Sequence, residues 1–195
     1  ISPEMKELSS EAKRKGVLIL NEIGLDPGID HLCVMKTLKG IRSRGETLTE
    51  FRSYCGALPA PESAINGIGY KFSWSPMGVM KASGNTAEFM WNGEKVNVPG
   101  PLLQFCPTVE SSFPALNMEM IPNRDSLSYV DKYQMSEFKN IQTFVRGTLR
   151  FPGFTNFFRA LSVLGCLDES KVIELDENNN SWSQVMQSLG VNNLK

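Results

Sequence analysis

The sequence is poor in the residues that build metal and disulfide sites. It contains a single histidine, His31, which excludes a metal site made of several histidines. Its four cysteines are spaced too widely and irregularly for a zinc motif: Cys33, Cys55, Cys106 and Cys166. We therefore expect no bound metal, and we interpret the cysteines as free thiols in a reducing compartment.

Long apolar runs and an excess of one charge sign are also missing. No apolar stretch approaches the ~20 residues that a membrane-spanning helix needs. The 20 basic and 21 acidic residues nearly cancel, and the basic residues form no stripe. We therefore expect neither a membrane nor a nucleic acid as a partner. With 41% hydrophobic residues, the 195-residue chain has enough apolar side chains for a packed core.

The N-terminal segment predicts a helix followed by a buried strand. Ser2 is a suitable N-cap for a helix over residues 2–15. The wholly apolar run of residues 17–20 is typical of a strand that is buried on both faces of a parallel sheet. One helix and one strand do not complete such a sheet, and the sequence begins with Ile1 rather than Met. We therefore interpret the chain as a piece of a longer protein.

The rest of the chain predicts an α+β domain with a helical tail. Apolar residues at helical spacing predict helices over residues 32–45, 77–89 and 126–133, from Pro152 onwards, and over 182–189. Alternating patterns predict strands over residues 47–55, 117–121 and 141–151. Asn92-Gly93 stands between two apolar-rich runs and predicts a hairpin with a two-residue turn.

Several polar residues are candidates for binding an anionic small molecule, and each also has a purely structural interpretation. Asp26 lies in a Gly- and Pro-rich turn after the predicted strand, where ligands bind in open sheets, or it makes an Asx turn. Arg124 suits a bidentate carboxylate contact, or it is a surface residue beside Asp125. Arg146, Thr148 and Arg150 share one face of a predicted strand, which is either a ligand-binding face or a solvated one.

Three other side chains are open to two interpretations. Cys55 is either a proton-transfer group or a buried, inert thiol. His31 is either a base or a local hydrogen-bonding group, and Trp74 either stacks on a planar cofactor ring or belongs to the core. Gly67-Ile68-Gly69 is the one G-x-G in the chain, but Phe72 occupies the third glycine position and no buried strand precedes it. The sequence therefore contains no dinucleotide-binding fingerprint.

Five stretches occur together in a recognisable order. They are NEIGLDPGIDH (21–31), SYCGALPAPE (53–62), YKFSWSP (70–76), PNRDS (122–126) and RGTLR (146–150). In this order and spacing they resemble the saccharopine dehydrogenase (saccharopine reductase, glutamate-forming) family, which includes the dehydrogenase part of alpha-aminoadipic semialdehyde synthase. One departure is Ala57, where the family has a second glycine. If that position requires positive φ, alanine strains the loop.

The resemblance implies an oxidoreductase of lysine metabolism that interconverts saccharopine with glutamate and 2-aminoadipate 6-semialdehyde. The hydride passes to or from NAD or NADP. The resemblance also implies three regions: a remnant of a Rossmann nucleotide-binding domain (1–29), a mixed-sheet substrate-binding and dimerisation domain (30–151) and the start of a helical lid (152–195). It further implies a homodimer in the cytosol or the mitochondrial matrix. Because the phosphate-binding loop is missing, we expect the chain alone to be inactive.

The resemblance assigns site roles residue by residue. The substrate-contacting positions are Asp26, Arg124, Thr148, Leu149 and Arg150. The cofactor-contacting positions are Leu25, Asp26, Pro27 and Trp74. The positions proposed as catalytic are Asp26 and, as an acid–base group, Cys55.

Two other functions remain open at this point. The chain is alternatively a catalytically silent fragment or paralogue that serves as a dimerisation or ligand-binding module, or a related carboxynorspermidine-type dehydrogenase. The presence of both Arg124 and Arg150 favours a substrate with several carboxylates, such as saccharopine, over a polyamine-like substrate.

Overall fold

The computed structural model describes residues 2–100, 108–110, 115, 117–168, 170 and 181–188. The chain divides into two compact units, one up to Leu48 and one from Thr49. Among the described residues, Cys33, Cys55 and Cys166 form no disulfide, and Cys106 lies outside these residues. No helix in the described part of the chain is long and apolar enough to cross a membrane.

The first unit begins with the predicted N-terminal helix. It is split into α1 (Pro3–Glu7) and α2 (Ser9–Arg14), which a single residue separates. The Ser2 hydroxyl accepts a hydrogen bond from the Met5 backbone N–H at 3.3 Å, so that Ser2 is the N-cap, as predicted.

A tight turn leads into α3 (Ile29–Ser43), the longest helix of this unit. The Gly24 N–H donates to the Pro27 carbonyl at 3.1 Å, and the Ile29 N–H donates to the Gly24 carbonyl at 3.0 Å. At Gly28, which has a φ of 150°, an added Cβ would lie 2.3 Å from the Gly24 carbonyl oxygen. The predicted turn and the helix after it are therefore confirmed, and only glycine fits at Gly28.

The predicted strand over residues 17–20 is wrong. These residues form no strand, and their apolar side chains are between 54% and 80% exposed. A strand forms only when its N–H and C=O groups pair with a neighbouring strand, and no described residue pairs with this run. The remnant of a Rossmann domain over residues 1–29, which the resemblance implies, stays a prediction.

The second unit is built on a mixed sheet, which confirms the predicted α+β class. Its strands are β1 (Glu50–Cys55), β2 (Ala87–Trp91), β3 (Glu94–Val98), β4 (Thr108–Glu110), β5 (Met118–Pro122) and β6 (Thr143–Arg150). The order is β3-β2-β6-β5-β4, and β1 pairs with β6 in parallel, whereas the other pairs are antiparallel. The long strand β6 is therefore central, because three strands pair with it.

Four helices accompany this sheet. They are α4 (Pro76–Ser83), α5 (Tyr129–Lys132), α6 (Phe154–Val163) and α7 (Trp182–Ser188). The helix predicted over 77–89 is wrong beyond residue 83, because the chain leaves the helix at Gly84 and enters β2. The helices α6 and α7 occur where helices were predicted, but residues 171–180 between them lie outside the described residues. The helical lid over residues 152–195 stays a prediction.

The hairpin of the second unit follows from local sequence. Asn92 and Gly93 join β2 to β3 with φ values of 51° and 85°, which confirms the predicted turn.

Side chains from the sheet, α4 and α6 form one hydrophobic core that includes Tyr70, Val79, Phe89, Met120, Val145, Leu149, Phe154 and Phe158. Strand β6 is buried along most of its length, so an ordinary solvated face is excluded for it.

Candidate functional site

An open cleft in the second unit brings together residues from several segments. The cleft is open to solvent, and a water-sized sphere can occupy about 60 Å³ of it. Its apolar lining comes from Val79, Ala82, Ile121, Pro122 and Phe154, and its polar lining from Trp74, Ser83, Asn85, Asn123, Arg124, Thr148 and Arg150. The two arginines that the sequence singled out therefore line the same cleft.

Strand pairing places Thr148 in this cleft. Thr148 lies opposite Ile121 of β5 and opposite Cys55, the last residue of β1. Cys55 is half-buried and is not among the lining residues. The ends of three strands therefore meet at this position, and a thiol and a hydroxyl lie on neighbouring strands.

The backbone of Arg124 is fixed by a hydrogen bond, and its side chain is exposed. It has a φ of 48°, which is unusual for a residue other than glycine, and its carbonyl accepts from the Glu88 N–H at 2.9 Å. The Asp125 carboxylate accepts from the Ser128 N–H at 3.0 Å. Among the described residues no ion pair joins Arg124 to Asp125. A left-handed conformation fixed beside a cleft is typical of functional positions.

Arg150 is the half-buried cation of the cleft. Its Nη1 donates to the Leu149 carbonyl at 2.7 Å, and its Nε is buried and has no hydrogen-bond partner in the part of the chain that the structure describes. Desolvation lowers the pKa of Arg150, and the nearby Tyr70 and Cys55 act in the opposite direction. An arginine remains charged at neutral pH even so. A carboxylate that enters the cleft would find a desolvated cation with a donor to spare.

Trp74 lies at the cleft and not in the core. Its side chain is 51% exposed, so the core interpretation is wrong. A Cβ added at Gly78 would lie 2.4 Å from the Trp74 ring, which shows that the indole packs directly on the first turn of α4. The exposed part of the ring is available to stack on a planar group.

The Ser75 cap holds the start of α4, on which the Trp74 ring lies. The Ser75 hydroxyl accepts from the Gly78 N–H at 3.1 Å. We expect Ser75→Ala to lower the free energy of unfolding by about 1 kcal/mol, because one N–H of the helix end loses its acceptor. Urea unfolding followed by circular dichroism measures this loss. Ser75→Thr, which keeps the hydroxyl, is the control, and an equal loss in both variants would contradict the capping role.

The other predicted site residues differ in their burial. The Leu149 side chain is 9% exposed and packs in the core, so any contact of Leu149 with a ligand uses its main chain. Asp26 is exposed in the turn of the first unit, and its neighbours Leu25 and Pro27 are exposed as well. The structure therefore brings Trp74, Arg124, Thr148 and Arg150 together in the cleft.

Two candidates have local partners. His31 Nδ1 lies 3.3 Å from a carboxylate oxygen of Asp30, which supports its local interpretation. Arg146 is 8% exposed, with its guanidinium carbon 4.1 Å from the centre of the Tyr129 ring. Arg146 does not line the cleft, although it is two residues before Thr148 on the same face of β6.

Ala57 is not strained. It is exposed, and it is not among the described residues that have positive φ. The position in this loop that has to be glycine is Gly56, because a Cβ there would lie 2.5 Å from the Leu149 carbonyl oxygen. Alanine at position 57 is therefore compatible with the loop.

Several lining residues were not anticipated from the sequence. Asn123 adjoins Arg124 in the PNRDS stretch, which could have indicated it, whereas Ser83 ends α4 and Asn85 follows it with no motif around them. Their amide and hydroxyl groups add neutral hydrogen-bonding capacity to a cleft whose charge comes from arginines.

The described residues do not fit the phosphates of a dinucleotide. The Gly67-Ile68-Gly69 segment is a turn closed by Asn66, whose Oδ1 accepts from the backbone N–H groups of Ile68 at 3.1 Å and Tyr70 at 3.3 Å. It does not link a strand to a helix, so it provides no phosphate-binding helix end. Only the exposed indole of Trp74 fits a flat nicotinamide-like group in this cleft.

A mixed sheet with a half-buried arginine, an exposed arginine, a hydroxyl and an indole around one cleft has the chemistry that suits a small anionic molecule. The family model described as the saccharopine dehydrogenase C-terminal domain matches residues 24–192. The chain belongs to the saccharopine dehydrogenase family.

Individual relatives support this assignment. A saccharopine dehydrogenase [NADP(+), L-glutamate-forming] from Pyricularia oryzae is 43% identical over 97% of this chain and 41% of its own length. The mitochondrial alpha-aminoadipic semialdehyde synthase of Mus musculus is 38% identical over 97% of this chain and 20% of its own length. The structure of apo histidine-tagged saccharopine dehydrogenase (L-Glu forming) from Saccharomyces cerevisiae matches with a TM-score of 0.75 and 42% identity, over 86% of this chain and 37% of that one.

Proposed function

We propose that the cleft binds saccharopine, and that the protein interconverts saccharopine with glutamate and 2-aminoadipate 6-semialdehyde by hydride transfer to or from NAD or NADP. The family and the names of the relatives support the reaction, although the chain spans 41% of one relative and 20% of another. The meeting of Arg124 and Arg150 in one cleft carries the substrate assignment, because saccharopine has three carboxylates.

The two arginines would bind carboxylates differently. Arg150 is half-buried, and its buried Nε has no partner among the described residues, so it suits a carboxylate that lies inside the cleft. Arg124 is exposed, so it suits a carboxylate at the mouth of the cleft. The Thr148 hydroxyl and the Leu149 main chain would fix the orientation of the substrate between them.

The chemical groups of the reaction are assigned by resemblance. Oxidation removes hydride from the carbon that bears the secondary amine, and the amine nitrogen loses a proton. Water then adds to the resulting imine, and the C–N bond breaks to give glutamate and 2-aminoadipate 6-semialdehyde. Cys55 is proposed as the acid–base group that exchanges this proton, and its place beside Thr148 supports the assignment. Asp26 is proposed to contact both substrate and cofactor.

The nicotinamide cofactor supplies the hydride acceptor or donor when it is bound. In this chain Trp74 is proposed to contact it in the cleft. The resemblance gives the same role to the turn residues Leu25, Asp26 and Pro27. The phosphates have no partner loop among the described residues, so binding of the dinucleotide requires further polypeptide.

The alternative functions receive no support from the relatives, which are named as saccharopine dehydrogenases and alpha-aminoadipic semialdehyde synthases. The homodimer, the domain division at residues 29/30 and 151/152, and a location in the cytosol or the mitochondrial matrix remain proposals. The mouse relative carries the word mitochondrial in its name.

Calorimetric titration of the intact gene product with saccharopine tests the substrate assignment. We expect saturable binding that Arg124→Met weakens about tenfold at low salt, because this exposed charge sits at the rim of the site. The difference should shrink as salt is raised, since exposed charges are screened. Arg14→Met, which removes another exposed arginine, one on α2, is the control. Absence of saccharopine binding, or an affinity that Arg124→Met leaves unchanged, would contradict the proposal.

A further inference from the structure

The guanidinium of Arg150 lies against two aromatic rings. Its central carbon is 5.0 Å from the centre of the Tyr70 ring and 4.9 Å from the centre of the Phe154 ring. The two rings are 5.3 Å apart and inclined at 74°. Both aromatic residues are only 2% exposed. At such distances each ring attracts the cation, and the attraction is strongest where water is excluded.

The Tyr70 ring is fixed by its own loop. The Asn66 side chain holds the backbone of Tyr70 at both ends: its Oδ1 accepts from the Tyr70 N–H at 3.3 Å, and its Nδ2 donates to the Tyr70 carbonyl at 3.0 Å. At Gly69 an added Cβ would lie 2.9 Å from the Cβ of Phe151. The loop therefore packs against the chain just after β6, next to Arg150.

The hydroxyl of Tyr70 contributes little to this arrangement. It is buried and has no hydrogen-bond partner within the described ranges. A buried hydroxyl without a partner costs stability, so the ring is the part of Tyr70 that favours its position. The ring and the hydroxyl can therefore be separated by substitution.

We propose that Tyr70 is a positioning residue for substrate binding, because its ring, with that of Phe154, holds the Arg150 guanidinium ready for a carboxylate. Arginine has a long side chain that loses rotamer freedom when it is fixed. The rings hold the guanidinium in a fixed orientation in the ligand-free protein, so this rotamer freedom is already lost before the ligand binds. This inference rests on the proposed function, in which Arg150 binds a carboxylate of saccharopine.

The test uses two substitutions of Tyr70 in the intact gene product. We expect Tyr70→Leu, which removes the ring, to raise the KM and the calorimetric Kd for saccharopine about tenfold. The kcat and the KM for the nucleotide should stay within twofold of the wild type. Tyr70→Phe, which keeps the ring, should retain the affinity of the wild type. A loss in Tyr70→Phe as large as that in Tyr70→Leu would overturn the proposal.

Coupling to Arg150 separates positioning from a general structural effect. In an Arg150→Met background we expect Tyr70→Leu to have no further effect on saccharopine affinity, since there is no cation left to hold. Independent, additive effects would overturn the proposal. If Arg150→Met by itself left the affinity unchanged, the proposed function would fail and this inference with it. If only Tyr70→Leu were without effect, this inference alone would fail.

A second series keeps the test decisive if Tyr70→Leu does not fold. Phenylalanine carrying one, two or three fluorine atoms at position 70 preserves the size of the ring and weakens its attraction for a cation step by step. We expect the Kd for saccharopine to rise with each fluorine atom while the thermal midpoint changes little. A Kd that stays constant across the series would overturn the proposal.

Discussion

Arg150→Met is expected to weaken saccharopine binding by the intact gene product by about a hundredfold or more. The guanidinium of Arg150 is desolvated by its surroundings, and its Nε has no partner among the residues that the structure describes. Methionine fills a similar volume without charge, so the entering carboxylate would be buried without a counter-ion. Calorimetric titration with saccharopine measures the loss directly.

Two controls define the cause of this loss. Arg52→Met makes the same substitution on β1, where the guanidinium pairs with Glu50 at 2.9 Å and does not line the cleft. We expect it to leave the affinity within twofold of the wild type. Arg150→Lys keeps a charge but loses the planar pair of donors, so its affinity should fall between those of the wild type and Arg150→Met. Equal affinity in wild type and Arg150→Met would contradict the assignment of Arg150.

Local turn and cap chemistry explains which elements the sequence could predict. Ser2, the turn before α3 and the Asn92-Gly93 hairpin depend on residues that are adjacent in sequence. Asn and Gly tolerate positive φ, and a serine hydroxyl reaches the N–H groups of the next turn. Such elements need no information about distant parts of the chain.

The errors occur where distant pairing decides the structure. Residues 17–20 have the composition of a buried strand, but no described residue supplies the neighbouring strand that they need. Residues 87–89 continue a helical pattern after α4, yet they pair with β3 and belong to β2. Periodicity alone does not distinguish a short apolar helix end from a strand, and tertiary pairing overrides it.

The sequence predicted which residues belong to the site, but not that they line one cleft. The motifs indicated Arg124, Thr148 and Arg150, yet their meeting depends on the register in which Ile121 of β5 lies opposite Thr148 of β6. The burial of β6 could not be predicted from the sequence either. The polar residues on the face that carries Arg146 are typical of a strand face in contact with solvent, although Arg146 is buried. The rings around Arg150 come from segments that no motif linked.

Gly56→Ala is expected to lower the free energy of unfolding by about 3 kcal/mol, which corresponds to a thermal midpoint lower by about 6–12 °C. A Cβ at this position would lie 2.5 Å from the Leu149 carbonyl oxygen and 3.0 Å from the Leu149 Cβ. The obstacle is mainly backbone of the central strand, which cannot rotate away as a side chain can. The end of β1 would therefore have to move away from β6.

The same displacement should weaken saccharopine binding, because Cys55 precedes Gly56 and pairs with Thr148. Thermal unfolding and calorimetric titration of one variant thus report both the packing and the site. Ala57→Gly is the matched control: Ala57 is exposed and has no left-handed backbone to relieve, so the change should cost less than about 1 kcal/mol. If Gly56→Ala were as stable as Ala57→Gly, the close approach of β1 to Leu149 would be wrong. The position of Cys55 beside the cleft would then lose its structural support.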